Sequence, residues 1–112
     1  LTWPERPPSP AAPLDLAAAG KLTFRPMDEA RWPMLRLAYA AGRTGGTAPA
    51  VFNAANEAAV ARFLAGEIPF LAIESVVESV LAAHDPVSAP DLEAVLAADA
   101  WARQAARNLR VA

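Results

Sequence analysis

The sequence predicts a mainly α-helical fold, namely a four-helix, antiparallel bundle-like domain preceded by an extended proline-rich arm and one unpaired β-strand. Five of the eleven prolines fall within residues 1–20, where they remove backbone donors and disfavour helix in the preceding residue. Apolar residues alternate only at residues 21–25, and from Pro33 onward they recur at helical spacing. We therefore divide the chain into an arm (1–20), a strand and linker (21–32) and a helical domain (33–112).

Composition limits the classes of partner. The length of 112 residues suits one domain. The net charge of −2 and pI near 5.3 argue against nucleic acid or an anionic membrane as a partner, because either favours a basic surface. No cysteine is present, which excludes disulfides and thiolate metal sites and fits a reducing, cytoplasmic compartment. No apolar run approaches the roughly 18 residues of a membrane span.

The arm and the strand both carry apolar groups that have no local core. Trp3 either packs against protein outside this chain or forms a wall of a ligand pocket. In residues 21–25, Leu22 and Phe24 share one face, and a single strand cannot satisfy its own backbone. We therefore expect the strand to pair with another chain or domain. Because the chain also begins at Leu1, without a methionine or a signal-peptide pattern, we expect a piece of a longer protein.

The first helix is predicted to begin at Pro33, which suits the first helical position, after a short turn capped by Asp28. Gly42 is predicted to end it. Its inner face should carry Met34, Leu37, Ala38 and Ala41.

Residues 43–50 are predicted to form a loop around Gly45-Gly46-Thr47. A glycine-rich loop that leads into a helix could cradle a phosphate. No Gly-Lys-Ser/Thr follows, however, and the preceding element is helical rather than a strand. A simple connector is the favoured interpretation.

The second helix, predicted over residues 52–64, is the central one. Its buried face is predicted to carry Phe52, Ala55, Ala59 and Phe63. Asn53 is the predicted N-cap, and Asn53 and Glu57 lie four apart, where they could grip a neighbouring loop. Asn56 and Glu57 could instead form a catalytic pair, but adjacent helix positions diverge by about 100°. Capping and tethering are therefore favoured.

The third helix follows Pro69, and its predicted apolar stripe consists of Ile73, Val76, Val77, Val80, Leu81 and His84. His84 is the only histidine. At a helix C-terminus it suits a dipole or side-chain contact, whereas a metal role would need carboxylates from elsewhere.

The fourth helix is predicted to follow a capping box at residues 88–91. Asp99 is a natural cap, and the sequence leaves open whether the helix breaks there. Its predicted inward positions are Leu92, Val95, Ala98, Ala102, Ala105 and Leu109. Arg103, Arg107 and Arg110 follow helical spacing and are predicted to form a solvated face. They are too few for a nucleic-acid patch and lack an aromatic platform.

Several motifs resemble the C-terminal part of 1-deoxy-D-xylulose 5-phosphate reductoisomerase. The most specific is Phe52-Asn53-Ala54-Ala55-Asn56-Glu57, followed by Val60-Ala61-x-Phe63-Leu64. The resemblance extends along the chain through Trp3-Pro4-x-Arg6, Pro13-Leu14-Asp15-Leu16, Leu22-Thr23-Phe24-x-Pro26-Met27-Asp28, Asp91-Leu92-Glu93-x-Val95-Leu96 and Asp99-Ala100-Trp101-Ala102-Arg103.

The resemblance implies an enzyme of non-mevalonate isoprenoid biosynthesis that uses NADPH and Mg or Mn. It converts 1-deoxy-D-xylulose 5-phosphate to 2-C-methyl-D-erythritol 4-phosphate as a homodimer. The resemblance also implies that residues 1–20 end the catalytic domain, 21–32 form the link and 33–112 form a structural helical domain. The partners of this domain would be the nucleotide-binding and catalytic domains upstream.

No catalytic, cofactor-binding or metal-binding residue is predicted within this chain. The family's metal, phosphate and nucleotide motifs lie upstream of Leu1, so the piece alone is expected to bind no cofactor and to be inactive. Its expected role is to brace the catalytic domain through Asn53, Asn56, Glu57 and the apolar arm. The alternative is an independent helical protein-interaction module with residues 1–25 as its binding arm.

Overall fold

A computed structural model describes residues 3–110 and confirms the mainly helical class. Over that range it contains five α-helices and no strand. Their bounds are α1 Leu16–Ala19, α2 Pro33–Thr44, α3 Ala48–Leu64, α4 Ala72–Ala82 and α5 Leu92–Asn108.

The four long helices are organised around α3 and α4. These two pack against each other, and each of them contacts both α2 and α5, whereas α2 and α5 do not touch. The group is therefore flattened, with α2 and α5 held on opposite flanks of the α3–α4 pair. The antiparallel, bundle-like packing of the four long helices remains a prediction.

The core is built from small and β-branched side chains. On α3 the buried residues are mostly alanines, which allow neighbouring helices to approach closely, and on α4 they are mainly valines. The predicted α4 stripe is largely correct, since Ile73, Val76, Val77 and Val80 are buried. Phe52 and Phe63, predicted to fill the core, are only partly buried and pack against its edge.

Two helix ends differ from the prediction. Helix α2 continues past Gly42 and stops at Gly45, whose positive φ of 68° suits glycine. Helix α3 begins at Ala48 rather than near Asn53, because Pro49 lies in its first turn, where a missing N–H costs nothing. Asn53 therefore lies in the second turn and caps nothing.

Helix α5 runs unbroken through Asp99, which answers the question that the sequence left open. Its N-cap is Asp91, whose Oδ1 accepts a hydrogen bond from the backbone N–H of Ala94 at 2.8 Å. Leu92, predicted to point inward, is 74% exposed, whereas Ala106, absent from the predicted stripe, is fully buried.

The C-terminal end of α5 is held by α3. Arg62 on α3 donates from Nη1 to the backbone carbonyls of Ala106, at 2.6 Å, and Leu109, at 2.9 Å. These carbonyls lie in the last turn, where helix acceptors lack intrahelical partners and cations are favoured. One arginine thus joins the two helices and completes a helix end.

The arm and linker, residues 3–30, are exposed throughout. The predicted strand at residues 21–25 does not form: residues 21–27 have no regular structure and make no backbone hydrogen bond within the described chain. A strand requires a partner ladder, and residues 3–110 supply none. The predicted turn after Asp28 is present, since its Oδ1 accepts from the backbone N–H of Ala30 and Arg31. Helix α1, capped by Asp15, was not predicted.

Gly46 provides a test of the packing between the α2–α3 turn and the loop after α4. An added Cβ would overlap the carbonyl oxygen of Val87, and φ is +55°. We expect Gly46→Ala to lower the free energy of unfolding by roughly 1–3 kcal/mol. The control is Gly42→Ala, where a Cβ meets nothing within 4 Å; there, inside a helix, alanine should add about 0.5–1 kcal/mol. Chemical denaturation measures both, and equal effects would contradict this packing.

Candidate functional site

A polar network joins α3 to α5 at the most specific sequence motif. Asn53 donates from Nδ2 to Glu57 Oε1 at 3.2 Å, and Arg103 Nη2 donates to Glu57 Oε2 at 2.7 Å. Arg103 also donates from Nε to Asp99 Oδ2 at 2.6 Å. Glu57 therefore grips a neighbouring helix through Arg103, where the sequence predicted a grip on a loop.

The charges in this network stabilise one another. The pKa of the Glu57 carboxyl lies below its ordinary value, first because Arg103 donates a hydrogen bond to it and second because Asn53 does. The hydrogen bonds that Arg103 donates to Asp99 and Glu57 in turn raise the pKa of Arg103. A carboxylate held ionised in this way is a poor proton donor, so the network suits structure rather than acid–base chemistry.

The prediction of a solvated arginine face is wrong for Arg103. Its side chain is 32% exposed and paired with two carboxylates, whereas Arg107 and Arg110 are exposed as predicted. The sequence did carry part of the signal, because Asp99 and Arg103 stand at i and i+4 on one helix. The partner on α3 could not be read from spacing within either helix.

A second cluster closes the turn between α2 and α3. Thr47 is fully buried. Its Oγ1 accepts from the backbone N–H of Val87 at 3.0 Å and lies 2.8 Å from His84 Nε2. The backbone N–H of Thr47 donates to the Val87 carbonyl at 3.1 Å, so the glycine-rich turn binds its own chain instead of presenting that donor to a phosphate.

The only histidine is part of this cluster. His84 lies just beyond α4, which ends at Ala82, and its ring packs beside that of Trp101 on α5, with centroids 5.3 Å apart. This is the side-chain contact that the sequence favoured over a metal role. Within residues 3–110, no three His, Cys, Asp or Glu side chains are grouped as metal ligands would be.

An apolar groove opens where the starts of α2 and α4 meet the middle of α3. We call it the Trp32 groove and define it by Trp32, Met34, Asn56, Val60, Phe70 and Leu71. Its volume, about 310 Å³, lies at the lower limit of small-molecule sites, which span roughly 300–1,000 Å³. Trp32, Phe70 and Leu71 are 48%, 60% and 69% exposed, an unusual concentration of large apolar side chains on a small domain.

Asn56 is an uncharged polar residue that lines this groove. It lies one turn from Asn53 but makes no side-chain hydrogen bond within residues 3–110. The three motif residues expected to act together are thus separated: Asn53 bonds to Glu57, Glu57 also bonds to Arg103 on α5, and Asn56 faces the groove. The proposed catalytic pair of Asn56 and Glu57 is not brought together on one face.

None of the helices in residues 3–110 combines the length and the apolarity that crossing a bilayer requires.

The comparisons with known proteins agree on one family. The profile of the DXP reductoisomerase C-terminal domain matches residues 1–105. The chain belongs to this family. It is 59% identical over 108 residues to 1-deoxy-D-xylulose 5-phosphate reductoisomerase of Symbiobacterium thermophilum, covering 96% of this chain. It is 52% identical over 109 residues to that of Gloeobacter violaceus, covering 97%.

A solved structure shares the fold. It is the reductoisomerase from Zymomonas mobilis in complex with NADPH, which is 43% identical, with a TM-score of 0.82 over 94% of this chain. The chain spans about 28% of the length of that protein and of the two curated relatives. The domain family is therefore established.

The Glu57 network predicts a pH-dependent contribution to stability. Because the folded-state pKa of Glu57 lies below 4.5, its contribution is complete above the unfolded value and is lost as the pH falls through the folded value. Glu57→Gln should therefore lower the melting temperature near neutral pH, and the difference from the parent should shrink in acid. Glu29→Gln, an exposed linker change, is the control. A Glu57→Gln difference that is constant with pH would contradict the network.

Proposed function

We propose that this chain is the C-terminal structural domain of a 1-deoxy-D-xylulose 5-phosphate reductoisomerase. The whole enzyme would convert 1-deoxy-D-xylulose 5-phosphate to 2-C-methyl-D-erythritol 4-phosphate, using NADPH and a divalent Mg or Mn ion. The observation that carries the proposal is the 59% identity over almost the whole chain to a reductoisomerase. The NADPH complex of the Zymomonas mobilis relative supports the choice of nucleotide.

In this proposal the chemistry belongs to other parts of the polypeptide. The described residues contain no group of side chains placed as metal ligands. The network of Glu57, Asp99 and Arg103 joins two helices. Residues 1–20 would end the catalytic domain, 21–32 would link it, and 33–112 would be the helical domain. The enzyme would be a cytoplasmic homodimer.

The bracing role is supported by exposed apolar surface. Phe24 is 85% exposed and Leu22 62%, on a segment whose backbone has no hydrogen-bond partner within residues 3–110. We propose that residues 21–25 become a strand when they pair with another part of the enzyme. Of the three polar residues expected to brace, Asn56 alone has a side chain without a hydrogen-bond partner within residues 3–110, since Asn53 bonds to Glu57 and Glu57 also bonds to Arg103.

A chimeric enzyme tests the proposal. This chain replaces the matching segment of the Symbiobacterium thermophilum relative, and NADPH consumption is followed with 1-deoxy-D-xylulose 5-phosphate and Mg or Mn. We expect turnover within about tenfold of the parent, because a 59% identical domain should preserve the packing against its partner. This chain by itself should consume no NADPH.

Two controls complete the experiment. The relative lacking the replaced segment should have little activity, and the chimera with fully buried Val76 changed to Asp should lose activity because an unpaired charge enters the core. A folded, inactive chimera would contradict the proposal and favour an independent interaction module. Turnover by the chain alone would contradict the assignment of a purely structural role.

A further inference from the structure

We infer that the Trp32 groove is a docking site for a neutral, extended peptide segment from the rest of the same polypeptide. The segment would place an apolar side chain among Trp32, Phe70 and Leu71 and would pair its backbone with the Asn56 amide. This inference rests on the proposed function, and it names the surface through which the domain would be braced.

The first argument is the chemistry of Asn56. A carboxamide offers both a donor and an acceptor, the same pair of groups that an extended peptide presents. The residue is partly buried, and its side chain has no hydrogen-bond partner within the described chain. Its amide atoms reach solvent, so both groups are accessible to a docked segment. Asn53, one turn earlier on the same helix, is engaged by Glu57, so lack of a partner is not a general property of this helix surface.

The second argument concerns charge. Two charged side chains border the groove, Arg31 and Glu74, and their charges are opposite. The Arg31 guanidinium lies over the Trp32 ring, 5.1 Å from its centroid. A site with no net charge and mainly apolar walls does not favour a phosphate, a nucleotide or a charged peptide. It suits a segment with apolar side chains and uncharged backbone groups.

The third argument is where the linker arrives. Trp32 ends the linker and lines the groove, so polypeptide joined to residue 1 is connected to the groove through 31 residues. A flexible connection of that length still holds its two ends at an effective concentration of roughly millimolar order. The relatives are more than three times longer than the part matched by this chain, which supplies ample polypeptide. A second copy of this chain has no comparable advantage.

Hydrogen exchange in the chimeric enzyme tests the inference, with variants Asn56→Ala and Leu71→Asp. Loss of the amide should accelerate exchange at residues 31–34 and 69–74 about fivefold, and an aspartate in the groove should do so about tenfold or more. Exchange at the buried α4 positions Val76 and Val77 should not change.

Each variant has a matched control on the same domain. Asn53→Ala removes an asparagine from the same helix outside the groove, and Leu92→Asp places a charge at an equally exposed leucine on α5, at 74% against 69%. Both controls should leave exchange at the groove segments unchanged. Equal effects from variant and control would overturn the inference.

Three other outcomes would also overturn it. Groove segments that exchange at the same rate in the parent chimera and both variants would mean that the groove is empty. Faster exchange at Val76 and Val77 would mean that the substitution of Asn56 or Leu71 destabilises the folded domain as a whole, rather than the binding of a segment in the groove. Protection that rises with protein concentration would identify a second copy as the occupant. Activity of the unmodified chimera is measured separately, so failure of the proposed function remains distinguishable from failure of the groove.

Discussion

The close approach of α3 to its neighbours is the constraint on which the rest of this structure depends. Five alanines, at positions 48, 54, 55, 58 and 59, are buried on α3, and two more, Ala102 and Ala106, are buried on α5. Small side chains on both helices allow the backbones to come close, and interior packing leaves little room for added volume. Because α2 and α5 do not contact each other, both depend on α3 and α4 for their positions.

Apolar contacts of this kind are non-directional, so other groups must fix the register of the helices. Arg62 binds the last turn of α5, and Arg103 reaches from α5 to Glu57 near the middle of α3. Two arginine contacts in opposite directions thus fix how α5 lies along α3. The α2–α3 turn is fixed in a different way, because buried Thr47 exchanges hydrogen bonds with Val87 beyond α4. Polar residues outside the core therefore determine the arrangement that the alanines permit.

The sequence predicts the fold well where the buried residues of a helix all lie on one apolar face. The valine stripe of α4 is such a case, and Pro33 marked the start of α2. The predicted N-cap at Asn53 was wrong because a residue type that caps helices well can also lie inside one. Here Asn53 bonds to Glu57, which is also bound by Arg103 on α5. Whether residues 21–25 form a strand could not be decided from this sequence. Alternating apolar and polar residues indicate only a local preference for extended backbone, whereas a β-ladder needs a second strand.

The same reasoning explains why the candidate site was only partly predictable. The motif identified Asn53, Asn56 and Glu57 together, but helical geometry points neighbouring residues in different directions. Asn53 is used internally, by Glu57 four residues further on, whereas Asn56 faces the Trp32 groove. A helical domain of this size is marginal alone, and a partner that binds only the folded form stabilises it. By the reciprocity of coupled equilibria, a segment held in that groove would be ordered by the bundle as much as the bundle is stabilised by the segment.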